Sequence, residues 1–155
     1  MCLESCVHSF THRVSGFAKH SLILTLIHSL KMEFIETSNA PVPAGHYSQA
    51  VVHQGLVYVS GILPITPDGD KLTDANIELQ ILQVLQNLEA ILQAAGSSKE
   101  KVLKATVYVS DVQDWPRINS VYASFFEAHQ PARVVVPVGT LHYGLNVELE
   151  VVAAV

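Results

Sequence analysis

Apolar residues recur along this chain with two periods, and the switches between them mark out its elements. From about Asp74 to Ala95, the set Ile77, Ile81, Val84, Leu85, Leu88, Ile91, Leu92 and Ala95 repeats at i, i+3, i+4 and i+7. That spacing predicts one buried face of a long helix. Thr73 or Asp74 can cap its start, and Gly96 can end it. Glu78, Gln80, Gln83, Gln86, Asn87 and Gln93 make up its polar side, so the apolar stripe is core rather than a cofactor site. A second helix is predicted from Asp114, with Pro116 in its first turn, to about Ala128. It would bury Ile118, Val121, Tyr122, Phe125 and Phe126.

Elsewhere the pattern shortens to runs of β-branched residues bounded by Gly, Pro, Asn and Asp, the signature of strands. Strands are expected at Glu33–Thr37, Tyr47–His53, Leu56–Ser60, Val102–Val109, Ala132–Val138 and Val147–Ala153. Gln54-Gly55 joins the second and third as a hairpin. Asn39–Gly45 and Gly61–Lys71 are loops broken by proline and glycine. The order is β, β, β, α, β, α, β, β. The strand-helix-strand unit through Val102–Val138 favours a right-handed parallel crossover. The expected fold is therefore an α+β sandwich, a mixed β-sheet with two helices packed on one face.

Residues 1–31 do not share this pattern. They are rich in Ser and His, have Glu4 as their only acid, and end in the apolar run Leu22–Ile27. That run is too short to span a bilayer. A signal or transit peptide, hence an exported or mitochondrial protein, is one interpretation of the segment. No small-residue cleavage site follows and Arg is scarce, so we favour an upstream extension with Met32 as the natural start and a cytoplasmic protein. The chain thus divides into an N-terminal extension, 1–31, and a domain, 32–155. If ordered, Phe17–Leu30 would be an amphipathic helix.

Composition narrows the function classes. At 155 residues the chain is long enough for a core without staples. Hydrophobic residues make up 49%, a surplus that suggests an oligomer interface, a hydrophobic terminal segment, or both. The net charge is −5, and from Met32 onward six basic residues stand against thirteen acidic ones. That balance disfavours nucleic-acid and membrane-surface partners. Both cysteines, Cys2 and Cys6, lie at the extreme N-terminus, so the domain has no disulfide, thiolate nucleophile or Cys-based zinc site. His8 and His12 have helical spacing but no third ligand, so no metal is expected.

Against this background one arginine stands out. Arg133 opens the run Val134-Val135-Val136, which reads as a buried strand, and no Asp or Glu occurs between Ala128 and Val147. A guanidinium carried into a core needs an anion. That anion is either a distant Glu of the same fold or a ligand carboxylate, which the guanidinium fork matches. In the last strand Glu148 and Glu150 share one face, where they are either solvated or line a pocket and handle water. Tyr47-Ser48-Gln49 follows the Pro/Gly loop, and Ser60-Gly61 ends a strand where a ligand can approach the backbone.

The blocks Gly45–Val51, Val59-Ser60-Gly61, Val84–Leu88, Asn119–Tyr122, Phe125-Phe126, Pro131-Ala132-Arg133 and Val147–Glu150 stand in an order and spacing that resembles the RidA/YjgF family. The resemblance covers essentially all of Met32–Val155. It implies a chorismate-mutase-like α+β protomer, a homotrimer with sites between subunits, and no cofactor. It further implies hydrolysis of 2-imino acids or enamines to 2-keto acids and ammonia. By position Arg133 would hold the substrate carboxylate and Glu148 would position water. Tyr47, Ser60 and Asn119 match pocket residues, and the Gly61 and Val135 backbones would meet the ligand. His46, Ile62, Val134-Val135, Thr140 and His142 depart from the family's usual residues, and the apolar ones among them bear on substrate preference. The competing readings are a trimer that binds 2-keto acids without turnover and an endoribonuclease. The latter lacks a basic groove or a His pair in this sequence.

Overall fold

Alternating valines divide the sheet into a covered and an open side. The structure, a computed structural model, describes residues 31–155. Its strands and helices follow the expected order. They are β1 (Glu33–Ile35), β2 (Ala50–His53), β3 (Leu56–Ile62), α1 (Ile77–Ala94), β4 (Val102–Val109), α2 (Trp115–Phe126), β5 (Ala132–Pro137) and β6 (Val147–Ala154). The proposed Phe17–Leu30 helix lies outside the described residues.

The six strands form one mixed sheet in the order β1-β2-β3-β6-β4-β5. Every neighbouring pair is antiparallel except β4 and β5, which run parallel through the α2 connection. Val57 and Val59 of β3, Ala105, Val107 and Val109 of β4, and Val147, Leu149, Val151 and Ala153 of β6 are buried in one core. They meet Ile81, Val84, Leu85, Leu88 and Leu92 of α1 and Ile118, Tyr122 and Phe126 of α2. This is the α+β sandwich the sequence predicts.

Several boundaries differ for local reasons. α1 starts at Ile77 because Asn76, not Thr73 or Asp74, is the cap, its Oδ1 accepting from Leu79 N at 2.9 Å. Gly96 ends the helix in a left-handed conformation (φ +71°). Two members of its expected polar side, Gln80 and Asn87, are buried instead. Gln80 donates to Ala75 O at 3.1 Å and accepts from Asn146 N at 2.9 Å. Asn87 donates to Ile65 O at 2.8 Å. Both amides tie loops to the helix, so their partners are backbone groups rather than water. α2 stops at Phe126, where Glu127 turns to φ +53°. Asp114 does not cap it and bonds Arg117 instead.

The second strand starts at Ala50 rather than Tyr47, because Tyr47 folds back onto its own loop. Tyr47 N donates to Gly45 O at 3.0 Å, and its hydroxyl accepts from Ala44 N at 3.3 Å. β3 runs two residues past Ser60, to Ile62. Its pairing with β6 shifts between Val59 and Ile62, so Ser60 and Gly61 form a bulge. The reading of Ala132–Val138 as a buried strand is corrected. Among the described residues β5 pairs with β4 alone, stands at the sheet edge, and has exposed and half-buried residues but no buried one.

Candidate active site

Arg133 leaves β5 on the covered side of the sheet, in register with the buried Ala105. It meets α2 there, and three residues of that helix touch it. Asn119 Oδ1 accepts from Arg133 Nη2 at 3.0 Å. The rings of Trp115 and Tyr122 lie with their centroids 4.5 and 4.4 Å from Arg133 Cζ. Positions 115, 119 and 122 are spaced i, i+4 and i+7, so they share one helix face.

Among the described residues Arg133 has no carboxylate partner; the ion pairs are Lys99–Glu127, Arg117–Glu78 and Arg117–Asp114. The contrast with Arg117 is direct. Its Nε and Nη2 grip both oxygens of Glu78, at 2.7 and 2.5 Å, and couple the two helices. A guanidinium has five N–H donors, and Arg133 spends one on Asn119. Tyr122 does not neutralise it, because burial pushes that phenol up to about 12, against the opposing pull of Arg133. What remains is a cation with its charge intact and most of its fork unspent, suited to a bidentate carboxylate.

Glu148 lies on the opposite, open side. Register pairs it with Tyr108 of β4, which is in turn opposite Val136 of β5 rather than Arg133. The reading in which Glu148 neutralises Arg133 within one chain therefore fails, since strand alternation sends the two side chains to opposite faces. Glu148 rests against the β3 bulge, where a Cβ on Gly61 would collide with its Oε1. Gly61 is thus glycine for space rather than for a left-handed turn, and sequence reasoning gave only the general form of this. Burial pushes the Glu148 carboxyl above its ordinary value; His142 opposes the shift and Glu150 adds to it.

A cavity of about 390 Å³ opens beside this carboxylate, with Gly61, Tyr108, Thr140, Leu141 and Glu150 in its wall. The other expected pocket residues scatter. Ser60, in the bulge, donates through Oγ to Ser48 O at 2.6 Å. Tyr47 is exposed on its loop. Val135 sits half-buried on the Arg133 side, paired with Val107. Asn119 alone joins Arg133 directly. Trp115 and Tyr122 were not singled out as site residues from sequence, although the 115/119/122 stripe was the available signal. Among the described residues no three His, Cys, Asp or Glu side chains are placed to hold a metal ion, and no helix is long and apolar enough to cross a membrane.

Comparison with known proteins places this geometry in a family. Residues 37–155 match the model described as endoribonuclease L-PSP. The chloroplastic Reactive Intermediate Deaminase A of Arabidopsis thaliana is 37% identical over 125 residues, covering 81% of this chain and 67% of the relative. The crystal structure of YyfA, a Rid family protein of Yersinia pestis, superposes with a TM-score of 0.78 at 42% identity, covering 81% of this chain and 100% of that one. E. coli TdcF, solved with bound serine, superposes with a TM-score of 0.75 at 35% identity, covering 79% and 98%. A match over most of the length and a shared strand and helix arrangement lead to one assignment: the chain belongs to the endoribonuclease L-PSP family, the family of the Rid proteins.

Proposed function

We propose that this protein hydrolyses 2-imino acids, or their enamine tautomers, to 2-keto acids and ammonia, at sites shared between the subunits of a homotrimer. The observation that carries the reading is the separation of two complementary half-sites. A guanidinium without a carboxylate partner projects from one face of the sheet, and a carboxylate with a raised pKa borders a cavity on the other. Within one chain they cannot act on one small molecule. Edge strand β5 of one subunit set against the open face of the next would bring them together. Exposed apolar side chains on that face, Tyr58 and Val134, support an interface there. The Arabidopsis relative is named a deaminase, and TdcF binds serine, a ligand with an α-carboxylate of the kind Arg133 would take.

In this mechanism Arg133 grips the substrate carboxylate and fixes the C=N carbon beside Glu148. Water adds to that carbon while Glu148 accepts one of its protons and passes it to the nitrogen, which takes up the C=N electron pair. The carbinolamine then collapses. Glu148 takes the proton of the hydroxyl as that oxygen forms the keto C=O and delivers it to the nitrogen, which leaves as ammonia when the C–N bond breaks. The raised pKa of Glu148 makes it a stronger base than an ordinary carboxylate. Orientation supplies much of the gain, up to ~7–11 kcal/mol in favourable cases. Ser60, Gly61, Tyr47, Asn119 and the Val135 backbone would border the substrate. Ribonuclease activity, the label in the family description, is disfavoured because a phosphodiester in the cavity would meet Glu148 and Glu150 side by side.

The test is an imine generated in situ by an amino-acid oxidase, with keto-acid release followed for wild type and Glu148→Gln. A large fall in turnover with 2-keto-acid binding retained is expected. Binding without turnover in the wild type would replace hydrolysis with a non-catalytic ligand-binding role. Sedimentation should give a trimer that Val134→Asp dissociates, and a stable monomer at micromolar concentration would rule out the shared site.

A further inference from the structure

Three residues of α2 converge on Arg133, yet only Asn119 makes a hydrogen bond to it. The other two present ring faces. Trp115 stands at the first position of the helix and Tyr122 two turns later, and both rings lie within 4.5 Å of the guanidinium carbon. Stacking and hydrogen bonding use different directions of a guanidinium. The face takes the ring, and the edge keeps its N–H donors. The negative ring faces attract the cation without neutralising it. A flexible arginine at a sheet edge would otherwise lose conformational freedom each time it took a ligand, and holding it beforehand removes that cost from binding.

We propose that Trp115 and Tyr122 are positioning residues for carboxylate capture: they hold the Arg133 guanidinium in one plane, so that its unspent N–H edge meets the carboxylate of a 2-imino or 2-keto acid. The proposal rests on the carboxylate-anchor reading of Arg133 and adds the residues that make the anchor rigid. An indole that only covered the start of α2 would affect melting temperature and leave ligand affinity alone.

Trp115 is the chain's sole tryptophan, which gives the test its handle. The full-length protein is titrated with 2-oxobutanoate, followed by tryptophan emission and by calorimetry. Saturation should change the emission. Trp115→Leu, apolar but without a π face, should weaken binding about tenfold and raise KM more than it lowers kcat, and Trp115→Phe should restore most of the affinity. Because the leucine variant can fail to fold, the wild-type chain is also produced with increasingly fluorinated tryptophan, which keeps the ring's outline and drains its face of negative charge. Affinity should fall stepwise with fluorination. Keto-acid affinity indifferent to both Trp115→Leu and fluorination overturns the proposal, even in an enzyme that hydrolyses imines normally. Affinity that follows Trp115 in a protein with no imine turnover supports it while refuting hydrolysis. A wild-type protein that binds no 2-keto acid refutes both.

Discussion

Glu148 occupies the space that a side chain on Gly61 would need. The carboxylate on β6 and the bulge on β3 are therefore one piece of architecture. The extra residue in β3 brings a bare backbone under the acid and opens the cavity wall on the same side.

Gly61→Ala should displace the Glu148 carboxylate while leaving the sheet paired. Imine turnover should fall by about one to two orders of magnitude, since small misplacements of a reacting group are costly. Melting temperature should move little, because the obstructing atom ends a side chain that can swing aside. Turnover equal to wild type would show that Glu148 does not act from its observed position.

The raised pKa of Glu148 makes a prediction about stability that runs against its role in turnover. Its carboxyl binds a proton more tightly in the folded chain than in the unfolded one, chiefly through burial. Folding thus takes up a proton in the interval between the ordinary and the raised pKa, and stability falls as pH rises through that interval. Above the raised pKa the ionised side chain is a net cost. Glu148→Gln should melt at a higher temperature than wild type at pH 7, with the gap closing below the ordinary carboxylate range. A lower melting temperature at pH 7 would point instead to an ion-pairing role.

Arg133→Lys keeps the charge and loses the fork. A compact ammonium can neither stack by a planar face on Trp115 and Tyr122 nor donate two parallel hydrogen bonds. Loss of kcat/KM by about two orders of magnitude is expected, with the assembly intact by sedimentation. Unchanged kcat/KM would remove Arg133 as the carboxylate anchor.

Gln80→Leu tests the buried amide that ties α1 to the approach of β6. Gln80 is 0% exposed, and its loss leaves Asn146 N without its acceptor, two residues before Glu148. Destabilisation of about 1–3 kcal/mol by denaturant titration is expected. A neutral result would mean that water replaces the amide.

Periodicity alone was enough to read the element order, the buried stripe of α1 and the shared face of Glu148 and Glu150 in β6, because each follows from repeats of apolar residues along one segment. Gln80 and Asn87 escaped that logic, since their burial depends on which loop carbonyls and amides lie opposite, a long-range fact. The edge position of β5 was hidden for the same reason: Val134-Val135-Val136 reads as interior until the strand order is known. At the site, Arg133 was conspicuous for lacking nearby acids. That Asn119, Trp115 and Tyr122 are its companions depends on how α2 lies over β5. That Glu148 faces away from it depends on the register across β4, and local sequence records neither.

The two-sidedness of the sheet has a genetic consequence. Because Arg133 and Glu148 leave opposite faces, under the shared-site reading each active centre draws its anchor and its base from different polypeptides. Two inactive proteins, one carrying Arg133→Ala and the other Glu148→Gln, should then rescue each other when unfolded together and reassembled, since some interfaces in the mixed trimers pair an intact arginine with an intact glutamate. A chain carrying both changes should rescue neither partner, and should act as a poison when co-expressed with wild type.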